Sequence, residues 1–355
     1  MIAVNPNSYL GVSPSASFIP TAPAIPDPWR FWIAENKMLG NPDEQILQVL
    51  TAHGLDYYAC KRELAIVAAH PYIRAGRNFA QALAKMTSYD KIRGQLAEQS
   101  PQWGKIERRA TIDGAEFFEK YYVTNTPVIF TGMMDRWTAL QKWSLEYLSH
   151  TYGGVQVQVQ FDRHTNPLYE LEYEKHTRSM VMADYIQLVQ TGGPTNNYYM
   201  VANNSNLDLP EFRPLLADMY FPPDIFLPEP PKGSVYFWLG PAGTITPLHH
   251  DPCNLMMAQI SGRKLWRIIP PWYARCLYNY RGVFSCVDLT APDYDRYPLF
   301  REIQIIDEVL HPGEIIFMPV GWWHFVQALD ISISVSMTHF CFHNSYEWQY
   351  PDIQR

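Results

Sequence analysis

The amino-acid sequence predicts an α+β fold in which a small helical bundle precedes a β-rich domain. Apolar residues recur with helical spacing from Trp29 to about Gln99. From Ser234 onward, short strand-like runs such as VYFWLG and EIIFMPVG are separated by Gly and Pro turns, a pattern typical of a β-sandwich or barrel. The 29 prolines and the 47% hydrophobic content suit a large strand-and-loop core rather than an all-helical protein.

Three segments follow from these changes of pattern. Residues 1–28 contain six prolines among Ser, Asn and Ala, so we expect a flexible tail that cannot build a core. Residues 29–100 are expected to form the helical bundle, and residues 101–355 are expected to form the β-rich domain.

The bundle is expected to hold three helices. Asp43 can cap the first helix, and the second spans 56–69, with Tyr58 and Leu64 among its inward residues. The third begins at Pro71, whose fixed φ suits a first helical turn, and runs through Phe79 towards Leu96. The simpler interpretation of the bundle is a packing cap, and the alternative is a region that recognises a partner or substrate.

The first part of the β-rich domain alternates helices with strands. A helix is expected over 116–122, a strand over 127–132 and a second helix over 143–149. VQVQVQF at 155–161 alternates strictly between apolar and polar residues, which predicts a half-buried strand.

Charge and composition exclude several classes of partner. The net charge is −7 and the pI about 5.9, so the chain lacks the basic surface of a nucleic-acid-binding protein. No apolar run approaches the ~18 residues of a membrane helix. The five cysteines lack CxxC spacing and are expected to be reduced thiols. The N-terminus has no secretory signal pattern, so we expect a cytoplasmic protein.

Three residues from two places in the chain predict a metal site: His249 and Asp251 in TPLHHDP, and His324 in PVGWWHFV. Residues i and i+2 of a strand face the same side, so His249 and Asp251 project together while His250 points away. With 11 His and 35 acidic residues, about one such pair is expected by chance. Two imidazoles and one carboxylate on one face of an iron leave positions open for a cosubstrate and O₂.

The neighbourhood of the pair strengthens this interpretation. Thr246 precedes it and Lys264 follows it, while the hairpin PGEIIFMPVGWWH presents His324. Ligands from two distant strands are typical of a double-stranded β-helix.

The block TPLHHDPCNLMMAQISGRKLWRIIPP, followed by PGEIIFMPVGWWHFV, resembles the JmjC/cupin-like 2-oxoglutarate oxygenases. Within that family it most resembles the branch that contains the asparaginyl hydroxylase inhibiting hypoxia-inducible factor. The likeness spans roughly residues 112–340. It implies a double-stranded β-helix, or jelly-roll, core of the cupin/JmjC type behind the N-terminal helical bundle.

The resemblance also implies a ligand set. His249, Asp251 and His324 would hold Fe(II), with O₂ and 2-oxoglutarate as cosubstrates. Lys264 and Thr246 match the residues that bind the distal carboxylate of 2-oxoglutarate.

Further cosubstrate contacts follow from shorter matches. Tyr199 matches a family tyrosine at the same carboxylate, with Tyr198 as its competitor. The family often has Asn four residues after the metal aspartate, but here that position is Leu255, with Asn254 one residue earlier. A late-strand Asn near the 1-carboxylate falls at Ser336.

Three functions remain open at this point. The first is hydroxylation of a side chain in a protein or peptide, which the helical region could help to recognise. The second is demethylation of N-methyl-lysine, although that branch usually has H-x-E and histone-reading domains. The third is a non-catalytic cupin-like binding protein. The substrate and the oligomeric state stay open.

Overall fold

The computed structural model describes residues 24–279 and 282–348, so most of the predicted tail, up to residue 23, lies outside the described residues. The chain divides into two compact units, Met1–Gln95 and Leu96–Arg355. The domain limits expected from the sequence stay predictions.

The described part of the first unit is helical. Its helices are α1 (Asp27–Met38), α2 (Asp43–Ala52), α3 (Tyr57–Ala69) and α4 (Pro71–Ala97). The Asp56 carboxylate caps α3 by accepting a hydrogen bond of 2.7 Å from the Ala59 amide. Trp32, Ile33 and Leu50 are among the buried side chains of the small core.

Helix α4 departs from a simple bundle pattern. Phe79, Leu83 and Met86, at helical spacing, are 77%, 68% and 64% exposed. Only Ile73 and Gly94 of α4 are buried. At 1.5 Å per residue, the 27 residues of α4 extend about 40 Å, whereas α1 to α3 have 10 to 13 residues each. Most of α4 is therefore left uncovered by the three shorter helices.

The second unit contains the sheets. Its helices are α5 (Gly114–Phe117), continued by a π turn, α6 (Ala139–Lys142), α7 (Leu145–Tyr152), α8 (Tyr173–His176) and α9 (Met182–Thr191). Its strands are β1 (Glu107–Arg109), β2 (Val128–Phe130), β3 (Gln156–Gln160), β4 (Thr177–Val181), β5 (Val235–Gly240), β6 (Ile245–His250), β7 (Leu255–Ser261), β8 (Lys264–Ile269), β9 (Ile306–Leu310), β10 (Ile315–Met318), β11 (Trp323–Ala328) and β12 (Ser332–Met337).

Two sheets pack face to face and confirm the predicted jelly-roll core. The larger sheet has the order β1-β2-β10-β7-β12-β5, and the smaller has the order β6-β11-β8-β9. Every pairing in them is antiparallel except β1 with β2. One core cluster joins Met257 and Ile316 of the larger sheet to Trp266 and Val326 of the smaller, so it forms the layer between them.

Strand pairing brings distant parts of the sequence together at one edge of this layer. β6 pairs with β11, which places His249 opposite His324. β11 also pairs with β8, which places Ala328 opposite Lys264. Gly262 makes the turn before Lys264 with a φ of +69°, and a Cβ there would overlap the carbonyl oxygen of Ile331.

Among the described residues, no helix is both long enough and apolar enough to cross a membrane.

Candidate metal centre

The three predicted ligands lie together. His249 is near the end of β6, Asp251 comes directly after that strand, and His324 is near the start of β11. One potential ligand atom from each lies within 4.8 Å of the others. Asp251 Oδ2 is 3.9 Å from His249 Nε2 and 3.4 Å from His324 Nε2. The geometry is that of a three-residue site open on one side.

Backbone carbonyl groups orient both imidazole rings. His249 Nδ1 lies 2.8 Å from the Pro247 oxygen, and His324 Nδ1 lies 3.1 Å from the Trp322 oxygen. A carbonyl can only accept, so each Nδ1 carries a proton, and the Nε2 atom of each ring is the one that lies towards Asp251. This is the arrangement by which outer hydrogen bonds fix metal-binding histidines.

The electrostatics of the three groups suit a cation. Burial, together with neighbouring His249, holds the pKa of His324 well below its usual range, so its ring is neutral. Burial raises the pKa of Asp251. Within the described part of the chain, the buried Asp251 Oδ2 accepts no hydrogen bond. An unpaired buried carboxylate oxygen is costly unless an ion or proton meets it. Two imidazoles and one such oxygen fit a divalent iron.

His250 faces away from this site, as expected. It is fully buried, with its ring 4.7 Å from that of Trp323 and 4.2 Å from that of Trp348. Burial lowers the pKa of His250 to about 4, so it packs as a neutral aromatic residue.

A cavity of ≈ 320 Å³ opens beside the three groups. That volume is within the range of small-molecule sites. Its walls include the following predicted residues: Thr246, His249, Asp251, Lys264, Tyr199, His324 and Ser336.

Lys264 is the cation in the cavity wall. It is 1% exposed, and its Nζ donates a hydrogen bond of 2.9 Å to the Tyr199 hydroxyl. The rings of Tyr199 and Trp238 lie 5.6 and 5.7 Å from the same nitrogen. Burial lowers the pKa of Lys264 to about 7, and the described residues offer it no ion pair. A buried, unpaired ammonium group facing a cavity is suited to an anionic ligand.

The structure separates Tyr199 from Tyr198. Tyr199 lines the cavity, whereas the Tyr198 hydroxyl donates to the Leu188 carbonyl, 3.2 Å away. Ser336 also lines the cavity, and its Oγ accepts a hydrogen bond of 2.9 Å from Trp238 Nε1.

Asn254 does not line the cavity, contrary to its expected place at the cosubstrate. Its Oδ1 accepts from the Val320 amide at 2.8 Å, and its Nδ2 donates to the Tyr346 hydroxyl at 2.9 Å. Because the side chain is held among backbone and protein groups, it is turned away from the space that a cosubstrate would fill.

Trp238 and Glu170 are among the wall residues that were not predicted. Trp238 lies on β5, where strand alternation from Tyr236 could have indicated it. Glu170 has a side chain only 9% exposed and lies 3.0 Å from the fully buried Arg163 guanidinium. It belongs to an irregular segment without a periodic signal, so the sequence offered nothing to find it.

Comparisons with known proteins cover the same region. A family profile described as a cupin-like domain matches residues 114–345. Lysine-specific demethylase 8 of Xenopus tropicalis is 32% identical over 227 residues, which are 62% of this chain and 49% of that protein. Lysine-specific demethylase JMJ30 of Arabidopsis thaliana is 30% identical over 239 residues, 65% of this chain and 54% of that protein.

Human HSPB1-associated protein 1 is 29% identical over 233 residues, 59% of this chain and 47% of that protein. The chain thus spans about half the length of the curated relatives it matches. These relatives give no support to the narrower likeness to the asparaginyl hydroxylase branch.

Proposed function

Because the chain belongs to the family of cupin-like domains, we propose that it is an Fe(II)- and 2-oxoglutarate-dependent oxygenase. One observation carries the proposal: an oriented group of two histidines and one aspartate shares a cavity with a buried lysine that forms no ion pair with any described residue. A metal site alone would suit many proteins. The added cation is what a dicarboxylate cosubstrate requires.

The residues of the chain have distinct tasks in this proposal. His249, Asp251 and His324 hold Fe(II), which supplies O₂ activation coupled to oxidative decarboxylation of 2-oxoglutarate. Lys264 binds the distal carboxylate of the cosubstrate, with Thr246 on the same cavity wall. The Tyr199 hydroxyl holds the ammonium group in place from the protein side.

For the substrate, we propose an N-methyl-lysine side chain in a polypeptide. Two of the relatives are named lysine-specific demethylases. The cavity wall also provides the ring of Tyr236, and the face of an aromatic ring attracts an organic cation. Both observations favour demethylation of a methylated amine over the side-chain hydroxylation expected from the sequence.

Hydroxylation of a side-chain carbon is the second candidate. The metal carboxylate is an aspartate, in an H-x-D pattern. Demethylases of the family that the sequence resembles usually have H-x-E instead, so this pattern favours hydroxylation. Both reactions oxidise a C–H bond at the same centre. They differ in the product, because an oxidised N-methyl group leaves as formaldehyde while an oxidised carbon keeps its oxygen.

The cofactor assignment is tested by absorption spectroscopy under anaerobic conditions. Fe(II) with 2-oxoglutarate should give a weak visible charge-transfer band in the wild-type protein. His324→Ala should abolish the band. His311→Ala removes an exposed histidine and should leave the band unchanged. A wild-type protein with neither the band nor 2-oxoglutarate turnover would contradict the proposed function.

The substrate assignment is tested by mass spectrometry of peptides. Peptides that differ only in the methylation of one lysine are incubated with the enzyme, Fe(II) and 2-oxoglutarate. Loss of one CH₂ unit with release of formaldehyde supports demethylation. A gain of one oxygen, independent of lysine methylation, supports the second candidate instead.

A further inference from the structure

The loop that carries Asp251 and the loop that leads into β11, just before His324, are joined by hydrogen bonds outside the cavity. Asp251 lies beyond the last residue of β6, so the ladder of that strand does not hold it. The register between β6 and β11 also shifts directly after His324. The spacing of the two ligands therefore depends on contacts other than regular strand pairing.

Two hydrogen bonds make the direct connection between the loops. The Gly321 amide donates to the Asp251 carbonyl at 3.1 Å. The Val320 amide donates to Asn254 Oδ1 at 2.8 Å. The two donors, Val320 and Gly321, lie four and three residues before His324 in the sequence. One acceptor belongs to Asp251 itself, and the other belongs to Asn254, three residues later.

Asn254 is itself held on every polar group. Its backbone amide donates to Asn344 Oδ1 at 2.8 Å, and its carbonyl accepts from Asn344 Nδ2 at 2.9 Å. Its Nδ2 donates to the Tyr346 hydroxyl at 2.9 Å. With 1% of its surface exposed, Asn254 cannot exchange these partners for water without a local opening.

Asn125 fixes the other side of the loop that precedes β11. Its Nδ2 donates to the Val320 carbonyl at 3.0 Å, and its backbone carbonyl accepts from Trp322 Nε1 at 2.8 Å. The Trp322 carbonyl in turn orients the His324 ring. A continuous set of hydrogen bonds thus runs from Asn254 through this loop to a ligand imidazole.

From this network we infer that Asn254 is a positioning residue for the metal centre, a role that rests on the proposed function. It acts through the backbone of Val320 and sets the separation of Asp251 from His324. Asn344 and Tyr346, from the segment after β12, hold Asn254 in the orientation that this requires. Removing such outer contacts typically weakens metal affinity 10- to 100-fold, since the ligands no longer converge.

The test measures Co(II) binding to the full chain by calorimetry and by visible absorption. Asn254→Leu should weaken Co(II) binding by about 10- to 100-fold and change the visible spectrum of the bound ion. Asn206→Leu is the matched control. Asn206 is 2% exposed and bonds both backbone groups of Gln158, but it does not line the cavity. The Asn206→Leu protein should be less stable than the wild type but should bind Co(II) with the wild-type affinity and visible spectrum.

Asn344→Ala provides a second variant in case Asn254→Leu does not fold. Asn344 is only half-buried, so its replacement is better tolerated, and it removes both bonds to the Asn254 backbone. We expect weaker Co(II) binding in this variant as well. A folded Asn254→Leu or Asn344→Ala protein with the wild-type affinity and spectrum would overturn the inference. Absence of Co(II) binding in the wild-type protein would instead contradict the proposed function.

Discussion

Lys264 should make the ligand-free protein less stable than it could be. Lys264→Met replaces the buried ammonium group with an apolar side chain of similar length. We expect this variant to unfold at a higher denaturant concentration than the wild-type protein near neutral pH, and to lose 2-oxoglutarate binding. A substitution that stabilises the protein but abolishes binding of its ligand indicates that the original residue is kept for function.

The magnitude follows from the pKa of Lys264. Burial lowers it from 10.5 to about 7, and at about 1.36 kcal/mol per unit the charged form costs roughly 5 kcal/mol. The hydrogen bond that Lys264 donates to Tyr199 is worth about 1 kcal/mol and is lost in the variant. We therefore expect Lys264→Met to gain about 2–4 kcal/mol in free energy of unfolding at pH 6.5.

The sign of the pH dependence gives a second check. The folded-state pKa of Lys264 is lower than the unfolded-state value, so between pH 7 and 10.5 the unfolded chain binds more protons. The contribution of Lys264 to the stability of the wild-type protein therefore rises with pH in that window. The penalty is about 4 kcal/mol at pH 7 and about 2 kcal/mol at pH 9, so the advantage of Lys264→Met should shrink by about 2 kcal/mol between these pH values.

Urea denaturation of both proteins at pH 6.5, 7.5 and 9 measures these differences. Arg263→Met is the matched control, because Arg263 is half-exposed and pairs with Asp330 on the surface. It should change stability by less than about 1 kcal/mol at each pH. A Lys264→Met protein that is less stable than wild type at pH 6.5, or whose advantage does not shrink with pH, would refute the reasoning.

Three further predictions concern the turn, the cosubstrate contact and the metal ligand. Gly262→Ala places a Cβ against a backbone carbonyl oxygen at positive φ, whereas Gly313 has positive φ with open space around it. Gly262→Ala should therefore lower the urea midpoint more than Gly313→Ala does. Equal decreases of the urea midpoint in the two variants would contradict this. Tyr199→Phe should weaken 2-oxoglutarate binding in calorimetry about tenfold by removing the acceptor of the buried ammonium group, while Tyr198→Phe should not. Asp251→Asn should leave the ligand-free protein at least as stable as the wild type, because the raised pKa of Asp251 shows that its charged form is unfavourable there. The same variant should bind Co(II) more than tenfold more weakly. Tight Co(II) binding by the variant would exclude Asp251 as a ligand.

The strand architecture could be predicted because its signals are local. The alternation of VQVQVQF matches β3, and the run EIIFMPVG contains β10. The H-x-D pair was recognisable because residues i and i+2 of a strand share a face. Pairing of β6 with β11 then placed His324 opposite His249, as the hairpin had suggested.

Other features depend on contacts that sequence patterns do not encode. Tyr58 was expected inward but is 71% exposed, because helical spacing alone does not say which face of α3 meets the bundle. Asn254 was assigned to the cosubstrate by its place in a motif. Two of its actual partners, Asn344 and Tyr346, lie about 90 residues away in the chain. Glu170 was missed for the same reason.

The pairing of β6 with β11 also bears on how the chain folds. His249 and His324 are 75 residues apart in the sequence (249 to 324), and such non-local pairings form slowly because a long loop must close first. A partly folded chain without this pairing has no binding site. A metal ion that binds only when β6 and β11 are paired stabilises the fully folded chain. It therefore makes complete unfolding rarer, while the ends of single helices and strands still open locally. Metal uptake is thus expected as the last step of maturation, and resistance to proteolysis on adding Fe(II) would report its completion.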